Sequence, residues 1–271
     1  MSTPQKLVGG SVSFDPAADV YDVTRALPPA IVASQTEAIL TELATAGADR
    51  LLEVGIGTGR ISRPLMERGV RVAGVDIAPR MLARLREQLA RGLPAPDLML
   101  GDATRLPFRD ASFPALLIVH VLHLVSDWRQ ALDEMRRVLT PDSVLLHDGT
   151  RYADDNPWQR TFRKREELAA ALGCTWRKRP SPEDITSKLE AIGGSLRTVV
   201  YAENDERDVA IDVVNRTRDR VDSWTWEIPD EIFPTFFSQY EAYVREELGS
   251  LDFAHTTHVT YYLDVWTFRG A

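Results

Sequence analysis

The stretch LLEVGIGTGR, residues 51–60, predicts the fold of the chain around it. An apolar run leads into three alternating glycines, Gly55, Gly57 and Gly59, which is typical of a strand that enters a tight loop before a helix. Glycine suits such a loop because it adopts positive φ without a steric penalty. A strand, a glycine loop and a helix in this order form the usual cradle for a nucleotide-like cofactor. The stretch alone leaves open whether that cofactor is a dinucleotide or S-adenosylmethionine (SAM).

Short apolar segments alternate with helical ones on both sides of this loop, from about residue 30 to residue 148. The pattern predicts strands at 50–54, 71–76, 97–101, 115–120 and 143–148, and helices at 58–68, 79–92 and 127–139. Strands that alternate with helices imply right-handed crossovers and a parallel sheet covered on both faces. We therefore expect an α/β fold whose cofactor-binding core spans residues 30–149.

After residue 150 the pattern changes to longer helices separated by two strands. It predicts helices at 156–173, 181–194, 205–224 and 230–249, and strands at 195–203 and 255–269. Pro234 is expected to bend or interrupt the last helix. Because no linker composition is visible, we predict that residues 1–271 form one domain. Residues 205–252 would then be a helical insertion before the last strand, acting as a lid over the substrate.

The composition of the 271-residue chain is that of an ordinary globular protein, with 44% hydrophobic and 27% charged residues. A net charge of −8 argues against electrostatic binding to nucleic acid or to an anionic membrane. The N-terminus lacks the features of a signal peptide, and no apolar run is long enough to span a bilayer. With a single cysteine, Cys174, no disulfide can form within the chain. We expect a soluble, cytoplasmic protein.

The spacing of the loop favours SAM over a dinucleotide. In the dinucleotide fingerprint G-x-G-x-x-G, the third glycine would occupy the position that Arg60 holds here. Glu53 lies at the end of the strand, where a carboxylate would disfavour a pyrophosphate. SAM carries an ammonium and a sulfonium instead of phosphates, and an acidic strand end suits both cations.

Further carboxylates follow the next two strands. Asp76 ends the second strand and can accept both ribose hydroxyls, although NAD enzymes share this feature. It can equally cap the helix that follows, ahead of Ala78. Asp102 and Ala103 end the third strand over the same crevice, where a carboxylate and a backbone amide can meet the adenine edge.

Four segments together resemble the class I SAM-dependent methyltransferases: LLEVGIGTGR, VAGVDIAPRML, GDATRLPFRDASFPALLIVHVLHLVSDW and ALDEMRRVLTPDSVLLHDG. The nearest group includes the C-methyltransferases of ubiquinone and menaquinone biosynthesis. The resemblance covers roughly residues 13–149 in the family's order and spacing, which is more specific than a lone glycine loop. One departure is Pro141-Asp142-Ser143, where the family often has Pro-Gly-Gly. That turn would face away from the cofactor crevice.

The resemblance implies a Rossmann-like, seven-stranded, mostly parallel sheet with an antiparallel last strand. It also implies that the loop from Glu53 to Gly59 holds the methionine part of SAM, while Asp76 binds the ribose. The remaining cofactor-binding residues that it implies are Tyr21 over the methionine end, Ile77 against the adenine, Asp102 and Ala103 at the adenine edge, and His120 near the amino acid and the transferred methyl group.

Histidines near the ends of the fourth and fifth strands are the candidate catalytic bases. His120 and His147 could accept a proton from an oxygen or nitrogen acceptor, since histidine titrates near neutrality. His147 and Asp148 could equally be a satisfied polar pair at a strand end. For His123 in VLHLV, packing in a helix is the better interpretation. We expect no metal site, because no further ligand cluster accompanies these residues.

The sequence predicts a small-molecule methyl acceptor but identifies neither the acceptor nor the O, N or C atom that is methylated. No Asn-Pro-Pro-aromatic motif follows the fourth strand, which argues against methylation of a base or amide nitrogen. The aromatic residues of the insertion could line a lid or simply pack a core: Trp224, Trp226, Phe233, Phe236, Phe237, Tyr240 and Tyr243. Two alternatives stay open: a protein that binds SAM or S-adenosylhomocysteine (SAH) without catalysis, and, less favoured, an NAD-dependent oxidoreductase.

Overall fold

A computed structural model describes residues 7–8, 10–89, 96–153 and 156–270. Its main feature is a seven-stranded sheet with the strand order β3-β2-β1-β4-β5-β7-β6, in which the last strand is antiparallel. The strands are β1 (Arg50–Val54), β2 (Arg71–Asp76), β3 (Asp97–Leu100), β4 (Phe113–Val119), β5 (Leu139–Tyr152), β6 (Gly194–Val209) and β7 (Ala254–Phe268). A two-stranded hairpin, Leu7–Val8 with Ser11–Val12, precedes them. The predicted fold class is confirmed.

Nine α-helices are present in the described residues. They are α1 (Tyr21–Thr24), α2 (Pro29–Thr45), α3 (Ser62–Glu67), α4 (Pro79–Leu89), α5 (Trp128–Val138), α6 (Pro157–Ala171), α7 (Pro182–Ala191), α8 (Ala210–Arg218) and α9 (Phe233–Leu248). The predicted helix at 58–68 begins later, at Ser62, because Gly57 and Gly59 have positive φ and keep the preceding residues in a loop. The end of the predicted helix at 79–92 lies outside the described residues. Among these helices, none is both long and apolar enough to cross a bilayer.

The chain divides into two compact units, and each is made from separate stretches of sequence. Unit 1 comprises residues 1–149, 179–202 and 261–271, and unit 2 comprises residues 150–178 and 203–260. In unit 1, the central strands are buried on both faces, with Leu52, Leu116 and Leu145 fully excluded from solvent. This burial agrees with the apolar sequence of β4.

Strand register aligns the carboxyl ends of β1, β2 and β4 with the part of β5 around His147, at one edge of the sheet in unit 1. Glu53 in β1 pairs with Gly74 in β2 and with Leu117 in β4. His147 in β5 pairs with Ile118 in β4, two residues before His120. Parallel strands in this order place their C-terminal residues side by side, which is where open α/β sheets bind ligands.

Unit 2 contains helices α6, α8 and α9 around an aromatic cluster, which we define as Trp224, Phe236 and Tyr240. All three side chains are buried, and Phe236 stacks on Tyr240 at a centroid distance of 5.9 Å. Core packing is therefore the role of these three aromatics. Among the other aromatics of the insertion, Phe233 and Phe237 are half-buried against the same cluster.

Two sequence predictions in unit 2 were wrong. Pro234 does not interrupt a helix, because it lies in the first turn of α9, where its missing N–H has no helical partner to lose. The helix predicted from residue 205 begins only at Ala210, and residues 205–209 continue β6. The buried residues Ala210, Val214 and Thr217 recur at helical spacing, whereas the charged residues before them do not.

Candidate active site

The loop after β1 is held in a tight conformation by its glycines. Gly55, Gly57 and Gly59 have φ values of +77°, +56° and +74°, in the left-handed region that disfavours other residues. A Cβ atom on Gly55 would lie 2.3 Å from Cγ2 of Val121, so the loop backbone also packs closely against the segment after β4. Both requirements explain the glycines, and the loop is largely buried, with Gly57, Thr58 and Gly59 excluded from solvent and Gly55 half-buried.

Glu53 is a carboxyl group buried at the end of β1, with 3% of its surface exposed. The hydroxyl group of Ser62, at the start of α3, donates a hydrogen bond to Glu53 Oε2. Burial raises the pKa of Glu53 to about 8, against the opposing effects of that hydrogen bond and of the nearby positive charge of Arg60. A bound cation beside Glu53 would therefore stabilise its charged form.

Asp76 ties the end of β2 to the glycine loop. Its Oδ2 accepts a hydrogen bond from the backbone N–H of Gly57, and its Oδ1 accepts one from the N–H of Ala78, both at 2.8 Å. Burial raises the pKa of Asp76 to about 6, although both hydrogen bonds favour the carboxylate. The hydrogen bond from Ala78 shows that Asp76 has a structural role before α4. Each carboxylate oxygen of Asp76 keeps a lone pair that can accept a further hydrogen bond.

The residues predicted at the adenine end lie after β2 and β3. Ile77 is half-buried beside Asp76. Asp102 is also half-buried, and its Oδ1 accepts hydrogen bonds from the N–H (2.8 Å) and hydroxyl (2.9 Å) of Thr104. Ala103 packs against the core of unit 1. The turn after β3 is thus fixed by Asp102 itself.

The N-terminal segment is bound to the glycine loop, mainly through Asp22 in α1. One carboxylate oxygen of Asp22 accepts a hydrogen bond from the Thr58 hydroxyl, and the other accepts one from Gln88 Nε2 at 2.9 Å. Tyr21 beside it packs edge-on against Phe14, with the ring centroids 5.5 Å apart. The family resemblance predicted a role for Tyr21 but none for Asp22. The partner of Asp22, Thr58, is 36 residues away in sequence, so no local pattern indicates their contact.

His120 follows β4 with φ = +52°, a conformation that is uncommon for residues other than glycine. Its side chain is accessible to solvent although protein surrounds it densely, as expected on the wall of a cleft. Desolvation, reinforced by the positive charges of Arg60 and Arg25, lowers the pKa of His120 to about 4. The ring is therefore neutral near pH 7, well above its own pKa. Strained backbone of this kind is concentrated at functional sites.

His147 and Asp148 are adjacent within β5, which continues to Tyr152 beyond the predicted strand end at residue 148, and their side chains have different surroundings. Asp148 accepts hydrogen bonds of 2.8 Å from Gln35 Nε2 and from the Tyr201 hydroxyl. Successive residues of a strand point to opposite faces, so this network draws Asp148 away from His147. Burial, with a smaller contribution from His120, lowers the pKa of His147 to about 4. The two imidazoles thus lie close enough to influence each other.

The pKa values of His120 and His147 differ from that of a free histidine side chain, which the sequence prediction assumed. Histidine normally titrates near pH 6.5, whereas desolvation by the surrounding protein keeps both of these rings neutral down to about pH 4, although His147 is only half-buried and His120 is accessible to solvent. Each can accept a hydrogen bond or a proton at neutral pH, but as a weaker base than free imidazole. No group of three or more His, Cys, Asp or Glu residues suited to a metal occurs in the part of the chain that is described.

Comparison with known families identifies the domain around this crevice. A family model described as a methyltransferase domain matches residues 52–147. This segment of the chain is similar to methyltransferase domains. The match confirms the resemblance stated from the sequence, and it supports SAM as the cofactor of this domain.

Two curated relatives each match about half of the chain. An uncharacterised methyltransferase of Mycobacterium tuberculosis is 39% identical over 136 residues, covering 50% of this chain and 51% of that protein. A demethylmenaquinone methyltransferase of Renibacterium salmoninarum is 34% identical over 134 residues, covering 49% of this chain and 55% of that protein. The chain therefore spans about half the length of the curated relatives it matches.

The structural similarity to solved proteins covers more of the chain than the match to the methyltransferase family model does. The crystal structure of the YcgJ protein from Bacillus subtilis superposes with a TM-score of 0.59 at 16% identity. The superposition covers 87% of this chain and 99% of that one. At this identity the likeness concerns the fold, which agrees with the seven-stranded sheet described above.

Proposed function

We propose that the protein is a SAM-dependent methyltransferase that acts on a small-molecule acceptor. The observation that carries the proposal is the arrangement of Glu53, Asp76 and the three glycines within the matched methyltransferase domain. The carboxyl groups of two strand ends, Glu53 and Asp76, flank this tight glycine loop. The positive charges and hydroxyl groups of SAM suit this setting better than a pyrophosphate does.

The residues of unit 1 fit the cofactor part by part in this proposal. The loop from Glu53 to Gly59 holds the methionine part, and Asp76 uses its remaining lone pairs for the ribose hydroxyls. Ile77 lies against the adenine, whose edge meets Asp102 and the N–H of Ala103. Tyr21 and His120 border the methionine end. The raised pKa of buried Glu53 supports this assignment, because an ammonium group would offset the cost of charging it.

When bound, SAM supplies an electrophilic methyl group that an acceptor atom displaces in line from sulfur. The task of the protein is then to align the acceptor with the methyl group and to exclude water, effects that contribute up to about 7–11 kcal/mol. His120 and His147 are proposed to accept a proton or a hydrogen bond from the acceptor. Substitution of His147 by Ala should lower turnover without changing SAH affinity, and unchanged turnover would exclude His147 as the base.

We further propose that residues 205–252 act as a lid and contribute to acceptor specificity. Because Trp224, Phe236 and Tyr240 are committed to the core of unit 2, acceptor contacts would fall to the less buried aromatic residues of the segment, such as Trp226 and Tyr243. An apolar or aromatic acceptor would suit those side chains.

Titration calorimetry with SAH, with NAD as the competing ligand, tests the proposal. We expect SAH to bind and NAD not to bind. Asp76→Asn removes the carboxylate charge but can keep one backbone hydrogen bond, and it should weaken SAH binding by at least about tenfold, or 1.4 kcal/mol. Asp97→Asn, at an exposed ion pair with Arg50 on the opposite end of the sheet, is the matched control. Binding of NAD alone, or of neither ligand, would contradict the proposal.

A further inference from the structure

Gly149, two residues after His147 in β5, lies against the ring of Tyr262 in β7. A Cβ atom built on Gly149 would lie 2.4 Å from Cζ and 2.6 Å from the hydroxyl oxygen of Tyr262. Glycine in a strand is typical of such a close approach. The backbone of Gly149 does not have positive φ, so alanine would fit its conformation. The ring of Tyr262, and not the backbone, therefore requires glycine at this position.

The ring of Tyr262 lies on the face of the sheet that carries His147. Alternate residues of a strand share a face, so His147 and Gly149 point to the same side of β5. In the register of β4 and β5, the residue before Gly149 pairs with Val119, the residue before His120. This register places Gly149 at the height of His120. The hydroxyl end of Tyr262 therefore lies at the same edge of the sheet as the two candidate bases.

Helices of unit 1 cover this face only toward the middle of the sheet. Leu145, two residues before His147 on the same face, is fully buried in a core cluster with residues of α5 and α7. His147, Gly149 and Tyr262 are each only half-buried. In the described part of unit 1, the helical cover of this face thus ends between Leu145 and His147, and Tyr262 borders the accessible part.

The neighbour of Tyr262 on β6 is apolar and accessible. The Thr198 hydroxyl donates a hydrogen bond of 2.5 Å to Asp264 Oδ1, so these residues lie opposite each other on the paired strands β6 and β7. Because β7 is antiparallel, Val200, two residues farther along β6, lies opposite Tyr262 on the same face. Val200 is 53% exposed. Gly149, Tyr262 and Val200 thus form a row across three strands, which we call the shelf.

An aromatic ring has the chemistry that suits the shelf. Aromatic rings attract one another in offset-stacked or edge-to-face contacts, and the accessible part of Tyr262 offers such a partner. Small-molecule sites typically combine an apolar wall with a few polar groups that fix the orientation of the ligand. The imidazoles of His120 and His147 supply those polar groups beside the shelf.

We propose that Tyr262 is a specificity-determining residue of the acceptor site, whose ring contacts an aromatic ring of the methyl acceptor and is held in place by its close approach to Gly149. This inference rests on the proposed function. It assigns an acceptor contact to β7, which lies outside the residues 52–147 that match the family model. The alternative role of Tyr262 is structural, because aromatic rings also cover glycines of neighbouring strands. The experiment below distinguishes the two roles.

The test uses calorimetry on the protein saturated with SAH and two probes of similar shape: 2-naphthol, which is aromatic, and decahydro-2-naphthol, which is saturated. The wild type should bind 2-naphthol more tightly than the saturated probe. In Tyr262→Ala, the affinity for 2-naphthol should fall about tenfold, and that for decahydro-2-naphthol by less than about threefold. Tyr262→Phe keeps the ring and should bind both probes like the wild type. If Tyr262→Ala does not fold, Tyr262→Leu takes its place with the same expectation.

Gly149→Ala tests the same contact from the other strand. The added methyl group must displace the ring, so the affinity for 2-naphthol should fall about as far as in Tyr262→Ala. Combining the two substitutions should cause no further loss, because the methyl group then meets no ring. Gly194→Ala is the matched control: its Cβ would lie 3.0 Å from Trp266, also in β7, but at the opposite end of the sheet. It should lower stability and leave the affinity for both probes unchanged.

Three results would overturn the inference. Unchanged affinity for 2-naphthol in Tyr262→Ala would leave the ring with the structural role alone. An equal loss for both probes would indicate that Tyr262 shapes the pocket and does not recognise an aromatic ring. Binding of SAH by the wild type without binding of 2-naphthol would contradict this inference while the proposed function stands. Failure of the wild type to bind SAH would contradict the proposed function itself. Wild-type SAH affinity in each variant shows that its cofactor site is folded.

Discussion

The glycine loop of unit 1 and the aromatic cluster of unit 2 are built on opposite principles. The loop combines left-handed backbone, which glycine adopts without a penalty, with the buried carboxyl group of Glu53 at the strand end before it, whose desolvation is unfavourable. The cluster consists of large side chains in contact with one another, with Trp224 6.0 Å from Phe236 between ring centroids. One region stores unfavourable interactions, and the other gains stability from burial.

This difference shows which features of the chain point to function. An aromatic-rich segment invites interpretation as a binding surface, yet its largest residues are used for packing. The glycine loop has no large side chains to suggest a binding surface, but the carboxyl group of Glu53 is buried beside it, and a bound cation would offset the cost of charging that group. Substitutions in the two regions should therefore separate folding from ligand binding.

The largest expected effect is on the aromatic cluster. Phe236→Ala removes a fully buried ring, which should lower the free energy of unfolding by about 3–5 kcal/mol. Molecules that stay folded should keep the wild-type affinity for SAH. Thermal unfolding followed by SAH titration below the transition measures both quantities. Phe162→Ala, at a ring that is 41% exposed on α6, should change stability by only about 0.5 kcal/mol. A large loss of SAH affinity in Phe236→Ala would contradict the conclusion that the aromatic cluster serves folding and the glycine loop serves ligand binding.

Gly55→Ala should have the opposite effect to Phe236→Ala, weakening SAH binding more than it lowers stability. The left-handed conformation is expected to cost about 1–2 kcal/mol, and the contact with Val121 about 1–3 kcal/mol. Because the loop must shift to relieve that contact, SAH affinity should fall much further than stability. Gly47→Ala is a matched control, since Gly47 also has positive φ (+62°) but no atom within 4 Å of an added Cβ. If both variants bind SAH like the wild type, the close packing of the loop has no role in binding.

Glu53→Gln should change how the stability of the protein depends on pH, because it removes the buried carboxyl group. The pKa of Glu53 is higher in the folded protein, about 8, than in the unfolded chain, near 4.5. The folded state therefore binds the proton more tightly, and stability falls as pH rises from about 4.5 to 8. The histidine pKa values near 4 oppose this trend only below about pH 6.5.

Between pH 6.5 and 8 the solution is above the pKa values of Asp76 and Asp148, both about 6, but His258 still titrates because its hydrogen bond to Asp205 raises its pKa. The difference in slope between the wild type and Glu53→Gln, in which His258 is unchanged, therefore isolates Glu53. Ligand-free wild-type protein should lose at most about 1.4 kcal/mol per pH unit there from this group, and Glu53→Gln should abolish that loss. Denaturant unfolding at several pH values provides the measurement, with exposed Glu37→Gln expected to follow the wild type. An identical slope in Glu53→Gln would mean that the carboxyl group is already charged or solvated in the folded protein.

Local sequence was sufficient for most of the fold of unit 1. The strand at 50–54 and the strand at 71–76 were predicted with their observed bounds, because an apolar strand, a glycine turn and an amphipathic helix are encoded by adjacent residues. The positions of Glu53 and Asp76 followed from the same pattern, since the C-terminal residues of parallel strands meet at one edge. The cofactor followed from the family resemblance of these segments.

Only the tertiary structure decided the chemical state of the site. Asp148 and Gln35 are 113 residues apart in sequence, so no local pattern predicts their hydrogen bond. That hydrogen bond is what separates the Asp148 side chain from His147. The contact between Asp22 and Thr58 is likewise set by distant segments. Sequence patterns report local periodicity, whereas burial and hydrogen bonding depend on which segments meet. That is why the sequence determined where the charged groups lie and the structure determined their pKa values and partners.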